Sequence, residues 1–216
     1  MYTSYTRQFP HQQRRVMMVT GVGSLSVVPD RAQIQLEVRT ENQQLSQAQQ
    51  DNAEAMNQVI DSLLQMGIAR GDIQTVSYTI SPQYDYVDGK QLLRTYQVTN
   101  AITVKIADID QVGNVIDVAV QNGANQVSTI QFTVENEQIY YQQALSLALK
   151  NAGAKAQTLA DTMQLQLDPI PIKIMEQTAK ESPAPRLFSA KAVPGSTPIE
   201  QGEMMINAAV TVQFQY

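Results

Sequence analysis

Few side chains in this sequence are equipped for covalent or acid–base chemistry, and their spacing narrows the choice further. There is no cysteine and one histidine, His11, which stands in the polar stretch before the first apolar run. Without thiols, disulfides, thiol catalysis and cysteine metal sites are excluded. One histidine in a polar tail leaves a Ser-His relay or a zinc tetrahedron without its parts. Ser24 and Ser26 lie in an extended run and have no elbow motif around them. Carboxylates remain. Asp108-x-Asp110 could hold a divalent cation, but no further acidic ligand follows at loop spacing. Asp108 opens a helical pattern and Asp110 falls in its first turn, so capping and the helix dipole account for both. Asp85 and Asp88 flank a turn, and Glu135 and Glu137 stand at a helix start. The expectation is a protein with no catalytic residues, no metal and no cofactor.

A second group has chemistry of a softer kind. Tyr78, Tyr84, Tyr86 and Tyr96 bracket Asp88-Gly89, the strongest hairpin signal in the chain. A hairpin brings some of these rings to one face, where they stabilise the sheet as cross-strand pairs or form an interface. Tyr84, Tyr86 and Tyr96 are therefore candidate interface residues. Pro183 and Pro185 join them, from a Pro-rich stretch over 177–201 that reads as a long loop, either mobile or built to contact something. The net charge of −5 and the lack of interleaved Lys or Arg argue against nucleic acid on this face.

The elements that must position these groups follow from periodicity. Val16 to Thr40 reads as strand, interrupted at Pro29-Asp30, with Gly21-x-Gly23 as a bulge or bend. A dinucleotide loop is ruled out there, because the chain continues extended where a helix must open. A helix is expected over 42–66, with Thr40 and Gln43 as a capping box and Gly67 as its stop. Val76, Tyr78 and Ile80 alternate as strand, Pro82 marks a kink or edge, and the return strand alternates at Tyr96, Val98, Ile102, Val104 and Ile106. A short helix follows Asp108, then a strand over 127–134. The chain's organising element is an Ala-rich helix over 136–163. Its apolar stripe is Tyr141, Ala144, Leu145, Ala148, Leu149, Ala152, Ala156, Leu159, Ala160 and Met163. Small residues let its backbone approach whatever covers it. Ile170, Ile172 and Ile174 form a strand whose prolines favour an edge, and Met204 to Phe214 is the last alternation.

The order strand, long helix, strand, strand occurs twice. The expected fold is therefore α+β, internally duplicated, with an antiparallel-rich sheet, two long helices packed on one face and a short linking helix. In domain terms, residues 1–15 are expected to be a flexible tail. Residues 16–216 form one domain of two pseudo-repeats, about 16–107 and 124–216, joined by the helix over 108–123.

Several short segments carry a resemblance to the SIMPL-domain family. They are Gly21-x-Gly23, Pro29-Asp30, Gly67 with Asp72-Ile73-Gln74-Thr75, Gly123-Ala124, the alanines at 144, 148, 152 and 156, and Pro198-Ile199-Glu200-x-Gly202. Together they span about residues 18 to 216. That family includes bacterial oxidative-stress-defence proteins and periplasmic immunogenic proteins, and it supplies no catalytic residues to transfer. The resemblance implies a noncatalytic protein with a stress-protective role that assembles with copies of itself. The alternative is a binding module that holds a protein partner or small apolar ligand through the tyrosine hairpin or the Pro-rich loop. Hydrophobic content of 43% over 216 residues suits a globular core. No run reaches the length of a membrane helix, and the polar start through Arg15 lacks the apolar core of a signal peptide. A cytoplasmic location is expected on that ground.

Overall fold

The computed structural model describes residues 15–177 and 197–216. His11, Pro183 and Pro185 lie outside the described residues. The α+β class and the antiparallel pairing are as expected, and hydrogen bonding divides the strands into two sheets, of four strands and of three. The chain forms two compact units. One contains the segment 28–137 with 197–204; the other contains 15–27, 138–177 and 205–216.

In the first unit, β2 (Arg31–Asn42), β3 (Ile73–Val87), β4 (Lys90–Ile106) and β5 (Gln126–Thr133) form a sheet in the order β3-β4-β2-β5. Helices α1 (Leu45–Gln65) and α2 (Val112–Gln121) carry its apolar cover. Alternation decides which face is buried. Ala32, Ile34, Leu36 and Val38 meet Ile102, Val104 and Ile106 under Met56, Val59, Leu63, Val112 and Val115. The expected capping box is not made. β2 runs on to Asn42, so Thr40 lies too early; its hydroxyl donates to the Ala48 carbonyl instead, and Asn42 Oδ1 takes the Gln44 N–H. Gly67 ends the helix at a φ of +90°, where a β-carbon is strained. Asp108 caps as expected, accepting from the Asp110 N–H at 3.1 Å.

Asn52 is the polar exception on the buried stripe of α1. It is fully buried, and its amide donates to the Val38 carbonyl at 2.8 Å and the Val98 carbonyl at 3.2 Å, tying the helix to β2 and β4 together. A clasp holds the two chain ends of this unit. The Asp30 carboxylate accepts from Glu135 N, and Arg31 pairs with Glu135 at 2.6 Å while donating to the Ala107 carbonyl.

The Pro-rich segment reaches this unit at its described end. Asp117 of α2 accepts from the Thr197 hydroxyl at 2.6 Å and from Thr197 N at 3.0 Å, and Ile199 packs on the core. The hydroxyl bond first, then the backbone bond, hold the Asp117 carboxyl below the ordinary carboxylate value. A lowered folded-state pKa contributes stability above the ordinary value and loses it as the pH falls through the lowered one. Thr197→Val is expected to move the Asp117 titration up towards that ordinary value, read by NMR of the carboxyl carbon. An unmoved titration would detach the segment from α2.

In the second unit, β1 (Val16–Val27), β7 (Met204–Gln215) and β6 (Lys173–Gln177) form a sheet in the order β1-β7-β6, packed by α3 (Glu137–Thr162). The buried stripe of α3 is narrower than the sequence suggests. Ala144, Ala148, Ala152, Ala156 and Ala160 are buried, whereas Leu149, Leu159 and Met163 are exposed. The reason is closeness. A β-carbon on Gly21 would collide with the Ala148 carbonyl and come 2.7 Å from Ala152 Cβ; one on Gly23 would collide with the Ala144 carbonyl and come 2.8 Å from Leu147 Cβ. Two strand residues span about 6.8 Å, and four helical residues span about 6 Å. Gly-x-Gly therefore matches the alanine repeat at every fourth position. The burial alternation of β1 passes through both glycines without a change of phase, so these glycines serve close approach and not the expected bulge.

Sheet edges are guarded in different ways. On β3, Pro82 and register shifts at Thr75/Ser77 and Gln83/Tyr84 interrupt the edge. Pro171 precedes β6, which carries Lys173 and Glu176. On β1, side chains of α3 stand in for a strand: Asn151 Oδ1 accepts from Val22 N, and Lys155 donates to the Thr20 carbonyl.

Candidate functional site: the tyrosine hairpin

β3 and β4 are longer than their neighbour. β2 pairs with β4 only as far as Asn42 opposite Tyr96, whereas β3 and β4 continue through Gln83–Thr95, Tyr84–Leu93, Asp85–Leu92, Tyr86–Gln91 and Val87–Lys90. Five pairs thus run on as a two-stranded ribbon of about 17 Å. The turn that closes it has Asp88 at φ +50° and Gly89 at φ +75°, both left-handed, the twist a two-residue hairpin loop needs.

The ribbon carries large apolar groups into solvent. Tyr84 is 46% exposed, Tyr86 75%, Leu92 53% and Leu93 49%. Tyr84 stands opposite Leu93 across the strands, and Asp85 opposite Leu92. Tyr96 lies at the root, opposite Pro82, and is half-buried. Of the expected interface residues, Tyr84 and Tyr86 are thus together on the free ribbon and Tyr96 at its base. Tyr78 lies further along β3, where its hydroxyl oxygen accepts from Gln49 Nε2 at 3.5 Å.

Charge near the ribbon is balanced and loose. Arg94 lies 3.7 Å from Asp85 and 3.6 Å from Glu41, with all three side chains well exposed, so these pairs contribute well under about 1 kcal/mol. What the arrangement offers is an amphipathic surface: rings and leucines to bury, hydroxyls to hydrogen-bond, and backbone groups beside Lys90–Thr95 that β2 does not reach. Leu92 and Leu93 were not singled out from sequence. The signal for them was present, since a two-residue Asp-Gly loop fixes Val87 against Lys90 and the pairs behind it as far as Tyr84 against Leu93.

A second feature lies at the other end of the same sheet. Two adjoining clefts of about 520 and 250 Å³ share Asp72, Lys105, Ile106 and Ala107. Arg31 and Glu135 also line the larger cleft, but they are engaged with each other. The clefts do not include any tyrosine of the hairpin.

The model of the SIMPL family, described as a protein of unknown function, matches residues 17–214. The 26 kDa periplasmic immunogenic protein of Brucella melitensis is 33% identical over 208 residues, covering 91% of this chain and 83% of that protein. The uncharacterized protein YggE of Escherichia coli K12 is 28% identical over 202 residues, covering 92% of this chain and 82% of that one. The expectation of a cytoplasmic protein is overturned by the first of these, whose name points to the periplasm. That expectation rested on the polar stretch up to Arg15, and where a given sequence begins does not decide whether a leader precedes it.

Proposed function

Since the chain belongs to the SIMPL family, a family of unknown function, we propose that it is a noncatalytic protein that acts as an assembly of its own copies. The observation that carries this reading is the overhanging ribbon with Tyr84, Tyr86, Leu92 and Leu93 exposed. An isolated two-stranded hairpin is marginal in water. Apolar groups gathered at one place on a surface mark a contact to be covered. Rings with a hydroxyl suit an interface that is apolar at its centre and wet at its rim. A stress-protective role for such an assembly is supported by the family resemblance.

Size-exclusion chromatography with light scattering tests the reading. The wild-type chain is expected to elute above monomer mass, and the double variant Tyr86→Ser/Leu92→Ser as a smaller species with an unchanged melting temperature. A wild-type chain that stays at monomer mass across a wide concentration range overturns the proposal. The hairpin would then be read as the docking surface for a different protein.

A further inference from the structure

Among the described residues, three of the four sheet edges carry proline, charges or surrogate side chains: proline with register shifts on β3, proline and charges at β6, and side chains of α3 on β1. The fourth, β5, has a single register shift, opposite Gln35/Leu36, that leaves Ser128 unpaired. Its eight residues, Gln126 to Thr133, contain no charge and no proline. Ile130 and Phe132 rest on the core and seven pairings fix the strand to β2, so its backbone is held in place instead of fraying. Val127, Ser128, Thr129, Gln131 and Thr133 are exposed. Among the described residues, no backbone hydrogen bond of Ser128 to Phe132 runs anywhere but to β2.

We infer that β5 is a seam along which a second copy of this chain adds its own β5, antiparallel and about a two-fold axis. Two four-stranded sheets then become one of eight strands. The inference rests on the self-assembly reading and gives it a second surface. The occupant follows from the chemistry of the strand. An uncharged strand meets its own copy without like-charge repulsion and offers a foreign partner no charge to read. Antiparallel pairing about a two-fold axis places like faces on one side, so the Ile130 and Phe132 face continues across the seam. On the other face, Thr129, Gln131 and Thr133 meet their counterparts as cross-strand hydrogen-bonding pairs. β5 and the hairpin strand β3 lie at opposite edges of one sheet. Two separate contact surfaces per copy are what a closed assembly larger than a dimer requires.

The test uses the full chain in light scattering. Thr129→Lys and Gln131→Lys each place a charge on the seam. Both are expected to lower the assembled mass two-fold or more with the melting temperature held, while Thr79→Lys on β3 leaves the mass unchanged. Because the sequence has no cysteine, single cysteines at positions 127, 129 and 131 give a second readout. At least one is expected to link two chains under mild oxidation. If both blocking variants keep wild-type mass and no cysteine links, the seam is wrong while self-assembly stands. If the wild-type chain is a monomer, both readings fall.

Discussion

Replacing Gly23 with valine is expected to abolish the folding of the unit built from β1, β6, β7 and α3. A first side-chain carbon at that position would already collide with the Ala144 carbonyl and press on the Ala148 amide and Leu147 Cβ. Backbone atoms of a helix cannot rotate aside as a flexible side chain can, so strand and helix must separate. Overpacking ordinarily costs about 1–3 kcal/mol. Here separation also undoes the fit of the five buried alanines, and about 3 kcal/mol or more is expected, a large part of a typical domain's whole stability. Gly153 provides the control, because a β-carbon there meets nothing within 4 Å. Gly153→Ala should stabilise the helix by about 0.5–1 kcal/mol. Thermal melts with Gly23→Val unchanged would mean that α3 does not lie on β1.

The second large effect is expected at Asn52. Asn52→Asp replaces two donated hydrogen bonds with a carboxylate facing the Val38 and Val98 carbonyl oxygens in a fully buried place. Burial and that repulsion raise the folded-state pKa of the new acid above its unfolded value of about 4. The variant is then least harmed at low pH, where the neutral acid still donates one bond. It loses stability progressively as the pH rises above the unfolded value. At neutral pH the loss should reach about 3 kcal/mol or more, as for an unpaired buried charge. Asn52→Leu should cost about 1–2 kcal/mol with no such pH dependence. Chemical denaturation at pH 4 and pH 7 separates the two, and an Asn52→Asp loss that is equal at both would refute the assignment.

How much of this was legible beforehand varies by residue. The Asp88-Gly89 turn fixes the hairpin register as far as Tyr84 opposite Leu93, because a two-residue loop leaves those pairs no freedom, and the shift at Gln83/Tyr84 changes the register behind them. Gly67 and Asp108 read correctly because caps and stops are local chemistry. Gly21 and Gly23 were visible as an oddity, but their purpose depends on a helix more than a hundred residues away. Asn52 is similar. Its place on the stripe with Ala48 and Met56 shows from spacing, yet its carbonyl partners lie 14 and 46 residues distant. Thr40 misled for the opposite reason: the pattern of a capping box was present, and the strand simply continued through it. Edge protection was legible at prolines and charges but not where Asn151 and Lys155 supply it, since nothing local marks a side chain that will face a strand's backbone.

The placement of β7 bears on the order in which the chain can fold. The other sheet draws all of its strands from residues 31–133, so its contacts can close soon after they are joined. In the three-stranded sheet, the central position belongs to residues 204–215, the last strand of the chain, and β1 and β6 have no common partner until it arrives. Closing the loop over residues 28–203 between β1 and β7 must come before their contacts repay it. On a ribosome, β1 emerges well before the strand that completes its sheet, with the whole of the four-stranded sheet made in between.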